Sequence, residues 1–110
     1  MTESEFEALA DSAIAALENS FESSAPDLDL QTKGRGVLEI EFADGSKMVI
    51  NRHNAAREIW VAAKSGGFHF RHDGAAWRDT RDGSELFAAV ARLASAQCGL
   101  PLELHAGKAQ

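Results

Sequence analysis

Eight carboxylates lie within the first 32 residues: Glu3, Glu5, Glu7, Asp11, Glu18, Glu22, Asp27 and Asp29, with no lysine or arginine among them. Carboxylate oxygens are hard donors, suited to hard cations such as Fe³⁺, Ca²⁺ or Mn²⁺, and equally to a basic protein surface. The remaining 78 residues hold all 11 basic side chains against nine acidic ones, so the net charge of -6 arises from the N-terminal third. That segregation argues against a nucleic-acid backbone as the partner of this segment. Glu7/Asp11 and Glu18/Glu22 are like-charge pairs four residues apart. Each opposes a helix by roughly 0.2–0.5 kcal/mol, a cost that a surface serving only solubility avoids by mixing in lysine.

Other chemistry-bearing types are less promising. His69 and His72 point to opposite faces of any strand that holds both, which makes them poor joint ligands and favours a surface role for His69 and a turn for His72. Cys98 falls near a helix C-terminus, where the dipole does not favour a thiolate, and reads as packing. Gly66-Gly67 precedes a strand rather than a helix, so it is no phosphate loop. No Ser-His-Asp order, closed metal set or nucleotide fingerprint emerges, and the expectation is a non-enzyme.

The elements that must position the carboxylates follow from periodicity. Thr2 and Glu5 have the spacing of a capping box. Phe6, Leu9, Ala10, Ala13, Leu17 and Phe21 then recur at three- and four-residue steps and define the buried face of a helix ending at Ser23-Ser24-Ala25-Pro26-Asp27. At about 100° per residue, Glu3, Glu7, Asp11, Glu18 and Glu22 form a ridge beside that face. Leu28 and Leu30 alternate with Asp27 and Asp29, so the first strand extends the acidic surface. Gly34-Arg35-Gly36 turns the chain into Leu38, Ile40 and Phe42, and Asp44-Gly45 is a hairpin signal before Met48 and Ile50. Ile59, Val61 and Ala63 point inward and Trp60 outward, where an indole among polar neighbours is a binding anchor. Phe68 and Phe70 point inward with His69 outward, Asp73-Gly74 turns, and Trp77 packs. Asp82 or Ser84 caps a second helix with the stripe Leu86, Phe87, Val90, Leu93 and Ala94, stopped by Gly99 and Pro101. Leu100, Leu102 and Leu104 are expected to pack back on the core.

The expected fold is therefore α+β: a two-layer sandwich with two helices on one face of a five- to six-stranded, mostly antiparallel sheet. One domain spans residues 1–105, and 106–110 is a frayed tail. The single cysteine fits a reducing cytosol, and the sequence shows neither a signal peptide nor an apolar run of the roughly 20 residues that cross a bilayer. A cytoplasmic protein without membrane or nucleic-acid partners is expected.

With those elements in place, the chain resembles the frataxins, specifically their bacterial branch. The likeness is carried by Ser4-Glu5-Phe6 with Leu9-Ala10-Asp11, Gly36-Val37-Leu38, Asp44-Gly45-Ser46-Lys47, Ile50-Asn51-Arg52 and Ile59-Trp60. Ser65-Gly66-Gly67-Phe68-His69-Phe70, Trp77, Asp79 and Arg81-Asp82-Gly83 with Glu85-Leu86-Phe87 continue it to about Leu104. The resemblance implies weak iron binding (Fe²⁺ or Fe³⁺) at Glu18, Glu22, Asp27 and Asp29, with Glu3, Glu7 and Asp11 as further ligands. It implies docking on the cysteine desulfurase of iron–sulfur cluster assembly through Glu18 and Glu22, regulation of that pathway, and contact with its scaffold protein through Asn51 and Trp60. It is compatible with a monomer that assembles further with iron. The sequence departs from the family pattern at Asn19 and Ser23, where second carboxylates are usual, and at His53-Asn54-Ala55, where Gln-x-Pro is usual. The alternative function is an acidic adaptor with no physiological metal.

Overall fold

The structure, a computed structural model, describes residues 1–104. The frayed tail expected at 106–110 lies outside the described residues. The chain runs α1 (Glu3–Ser24), β1 (Asp29–Thr32), β2 (Val37–Glu41), β3 (Lys47–His53), β4 (Glu58–Ala63), β5 (Gly66–His72), β6 (Trp77–Asp79) and α2 (Leu86–Cys98). Each strand pairs antiparallel with the next, giving one six-stranded meander in the order β1-β2-β3-β4-β5-β6. Both helices contact the same layer, α1 over β2 and β3 and α2 over β4 and β6. Of the two expected strand counts, six is the observed one.

Helix α1 begins as its cap residues dictate. Glu5 N–H donates to Thr2 Oγ1 at 3.1 Å, and Glu5 Oε1 accepts from Thr2 N–H at 2.8 Å. Its buried side chains are Phe6, Ala10, Ala13, Ile14, Leu17 and Phe21. Leu9 was placed on this face by spacing but is 38% exposed. It lies about 90° of arc from the middle of the buried stripe, whereas Ile14, on the ridge side, lies about 50° away and is buried. Leu38, Ile40, Met48, Ile50, Ile59, Val61 and Phe70 come inward on alternating strand positions, all 1% exposed or less. Each such side chain contributes roughly 1.5–3 kcal/mol by leaving water. Trp77 is buried and meets Phe6 edge-on at 5.9 Å between ring centroids, closing the sheet's far edge against α1.

Several expected boundaries move. Asp27 and Leu28 are not in a strand: Leu28 N–H donates to Ala25 C=O at 3.1 Å, so Pro26-Asp27 forms a turn and β1 starts at Asp29. The cap of α2 is Glu85, whose carboxylate accepts from Phe87 and Ala88 N–H, and not Asp82 or Ser84. Asp79 N–H donates to Ser84 C=O and Glu85 bridges Arg78, which holds 84–85 in the sheet and delays the helix to Leu86. Gly99 ends α2 in the left-handed conformation, as a C-terminal glycine should. Leu104 is buried and Leu102 packs on the core, but Leu100 is 66% exposed. His72 completes β5 rather than belonging to the following turn.

The β1–β2 turn contains Gly34 (φ +70°) and Gly36 (φ +77°), and only the second is also pressed by a neighbour. A Cβ at Gly36 would lie 3.0 Å from both Cγ and Cδ of Arg52, whereas one at Gly34 would meet nothing within 4 Å. Gly34→Ala is expected to lose about 1 kcal/mol from backbone conformation alone, and Gly36→Ala roughly 2–3 kcal/mol because Arg52 must also move. Urea denaturation measures both; equal losses would contradict a fixed Arg52.

Candidate docking and metal-contact surfaces

The acidic ridge is divided by what the sheet presents to it. Arg52 follows Met48 and Ile50 on the inward register of β3, so its guanidinium lies between sheet and helix with its side chain 13% exposed. It donates to Asp11 Oδ1 through Nη1, and its Nη2 lies 4.0 Å from Glu7 Oε2. Arg35 Nη2 reaches the other Asp11 oxygen at 3.5 Å. Asn54 Nδ2 donates to Glu7 Oε2 at 2.7 Å and to Glu3 Oε2 at 3.4 Å. Glu3, Glu7 and Asp11 are thus engaged by the sheet and its turns. The side chains of Glu18, Glu22, Asp27 and Asp29 have no hydrogen-bond or ion-pair partner among the described residues.

These four extend around the end of α1 onto the edge of the sheet. Asp29 stands directly across from Glu41 on β2, a like-charge pair that opposes strand pairing. Glu41 therefore adds to the acidic end, with Lys47 across from it on β3. The carboxylates form a row rather than a shell: among the described residues no three His, Cys, Asp or Glu side chains group so as to hold a metal ion. Carboxylate oxygens are hard donors suited to hard cations, and separate, exposed donors suit weak binding.

The outward face of the sheet carries the second surface. Asn51, Trp60 and His69 lie side by side across β3, β4 and β5. Trp60 is outward as expected, but its indole is not open. His53 stacks on one face at 3.8 Å and His69 on the other at 4.5 Å, each 11° from parallel. Its Nε1–H donates to Glu58 Oε1 at 2.8 Å, and Arg71 Nη2 donates to Glu58 Oε2 at 2.7 Å. Burial of Glu58 opposes its ionisation, yet the bonds from Trp60 and Arg71 outweigh it and hold the carboxyl below its ordinary range. Sequence reading missed Arg52, Asn54, His53 and Glu58. Only Arg52 left a plain signal, a charge on the inward register of a strand.

Together the fold and its two surfaces define a class: an α–β6–α sandwich with a partly neutralised carboxylate row on one helix and a covered tryptophan on its sheet. The comparisons with known proteins place it more narrowly. A family model described as the frataxin-like domain matches residues 1–100. The iron–sulfur cluster assembly protein CyaY of Dechloromonas aromatica is 57% identical over 105 residues, covering 96% of this chain and all of that protein. The CyaY of Janthinobacterium sp. is 50% identical over 109 residues, covering 96% and 97%. Among solved structures, the frataxin of Psychromonas ingrahamii superposes with a TM-score of 0.85 at 29% identity, covering 94% of this chain and 97% of that one. The trimeric frataxin of Saccharomyces cerevisiae, a ferrous complex, gives 0.64 at 22% identity over 90% and 88%, a likeness of fold. The chain belongs to the frataxin family, in its bacterial CyaY branch. No helix among the described residues is long and apolar enough to cross a membrane.

Because the Glu58 carboxyl ionises more readily in the folded chain than in the unfolded one, its charge stabilises the fold above the ordinary glutamate value of about 4.3. That contribution is lost as pH falls through the lower folded-state value. Glu58→Gln is expected to be about 1 kcal/mol less stable than the parent at pH 7, with the gap narrowing between pH 5 and 3. Denaturation midpoints across that range check it, and a gap independent of pH would contradict the assignment.

Proposed function

We propose that this protein serves iron–sulfur cluster assembly as an iron-binding regulator that docks its acidic row on the cysteine desulfurase. The observation that carries the reading is the division of the ridge. Glu3, Glu7 and Asp11 are tied to Arg52, Arg35 and Asn54, whereas the side chains of Glu18, Glu22, Asp27 and Asp29 have no partner among the described residues. Like charges at Glu18/Glu22 and at Asp29/Glu41, the latter eased by Lys47 across from Glu41 on β3, work against the helix and the sheet, so a cation or a basic partner that meets them relieves a built-in repulsion. Membership of the CyaY branch, whose relatives carry the name iron–sulfur cluster assembly protein, supports the pathway.

In this reading Glu18, Glu22, Asp27 and Asp29 are the iron ligands, and Glu3, Glu7 and Asp11 serve mainly to seat α1 on the sheet. Glu18 and Glu22 also face the desulfurase, while Asn51 and Trp60 face the scaffold protein. The protein acts in the cytoplasm as a monomer and adds no catalytic group of its own. A second reading, an acidic adaptor without a physiological metal, draws support from Asn19 and Ser23, which leave each helical carboxylate without an adjacent one.

Titration against the purified desulfurase at two ionic strengths tests the docking. Association through complementary charge weakens with salt, and Glu18→Lys with Glu22→Lys is expected to lose at least tenfold in affinity at low salt. No binding at low salt, or unaltered binding by the double variant, would sink the proposal. Binding that is identical with and without Fe²⁺ would favour the adaptor.

A further inference from the structure

The sheet has two outer edges, and its own chain closes the one at β6. Asp79 N–H donates to Ser84 C=O and Arg78 bridges Glu85, so residues 84–85 cover that side. The β1 edge is different. Lys33 N–H donates inward to Val37 C=O at 3.1 Å, and hydrogen-bonded positions alternate along an antiparallel pair. Asp29 and Gln31 therefore face β2 as Lys33 does, while Leu30 and Thr32 aim their N–H and C=O groups away from the sheet. Among the described residues no hydrogen bond meets those groups. Such a row is a template for another strand.

Two hollows lie between this edge and α1. One, of about 280 Å³, is lined by Glu22, Ala25, Pro26, Leu28 and Leu30. The other, of about 180 Å³, lies among Ile14, Glu18, Thr32 and Val37. Arg35 also borders the second hollow, but its guanidinium is turned to Asp11 at 3.5 Å. Leu30 stands across from Ile40 and Thr32 across from Leu38, both fully buried, so this side of the strand faces the helix layer. An added strand places alternate side chains on that side, roughly 6.6 Å apart. Glu18 and Glu22 are separated by four residues of helix, a rise of about 6 Å. The two spacings agree. A lysine or arginine at each such position would lay its aliphatic stem on the apolar lining and its charge beside a carboxylate.

We propose that the β1 edge is a docking site for an extended basic segment of a partner protein, added as a further strand with Lys or Arg at alternate positions. Leu30 and Thr32 exchange backbone hydrogen bonds with the segment, and its basic side chains enter the hollows beside Glu22 and Glu18. Backbone pairing supplies attachment, and the hollows select the alternate side chains. A second copy of this chain does not suit the edge, because it would bring its own Glu18, Glu22, Asp27 and Asp29 against the same four carboxylates. The inference rests on the docking reading above for the partner's identity and adds the manner in which that partner is held.

The test is ¹H–¹⁵N NMR of the full chain, without metal, titrated with the capped peptide Thr-Arg-Thr-Arg-Thr. Two control peptides separate strand addition from simple charge attraction. Thr-Thr-Arg-Arg-Thr has the same composition but sends its arginines to opposite faces, and should bind roughly fivefold more weakly. The alternating peptide N-methylated at both arginines keeps its charges but loses two backbone donors, and should bind roughly tenfold more weakly. At saturating alternating peptide, amide exchange of Leu30 and Thr32 should slow about threefold or more. Glu18→Gln with Glu22→Gln should weaken that peptide roughly fivefold. Equal binding of the three peptides, or unchanged Leu30 and Thr32 exchange at saturation, would overturn the proposal, as would no binding at all. None of these readouts involves the desulfurase, so failure of the docking reading shows separately, in the titration against that enzyme.

Discussion

A guanidinium on the inward register of β3 must find carboxylates or be driven out of the layer between sheet and helix, because an unpaired charge there has lost its water. Arg52 finds Asp11 and Glu7 on α1, and the chain makes room for it by placing Gly36, with no side chain, against its Cγ and Cδ. This contact fixes how α1 rotates over the sheet and which carboxylates remain for other purposes. Phe6, Leu17 and Phe21 supply the larger apolar share of the helix–sheet interface, but apolar contacts alone permit small rotations that a guanidinium bonded to Asp11 and set beside Glu7 opposes. The acidic ridge is thus two devices on one helix. Its first half seats the helix, and its second half, continued by Asp29, presents carboxylates without side-chain partners among the described residues.

The sheet's outward face is organised by a second buried charge. Glu58 is 7% exposed and accepts from both Trp60 and Arg71, and the indole it orients is enclosed by His53 and His69. The β3–β4 turn joins the two faces, since His53 ends β3 on the outward side while Asn54, next in the chain, reaches the carboxylates of α1. The sheet's outward face and the acidic helix are therefore parts of one connected structure.

Much of the architecture was legible because it rests on local rules. The Thr2–Glu5 capping box, the alternation through Leu38–Ile40 and Met48–Ile50, the Asp44-Gly45 hairpin and the Gly99 stop all stand where their residue types put them. The hairpin holds Asp44 at a pKa of about 2 through the Ser46 hydroxyl and N–H and through Lys64. What escaped depends on tertiary partners. Asp82 and Ser84 are good caps by type, yet sheet pairing through Ser84 and Glu85 passes the role to Glu85. The seven carboxylates look equivalent in sequence, and only the arrival of Arg52, Arg35 and Asn54, 24 or more residues away in the chain, separates them. His53 and His69 are 16 residues apart, and nothing local announces that they share one indole.

The most direct measurement of this division is a residue-resolved map of Fe²⁺ contact by paramagnetic broadening of amide signals, under anaerobic conditions at substoichiometric metal. Signals of Glu18, Glu22, Asp27 and Asp29 are expected to broaden first, with those of Glu3, Glu7 and Asp11 retained until metal is in excess. Broadening that begins at Glu3, Glu7 and Asp11, or spreads evenly along the helix, would contradict the account.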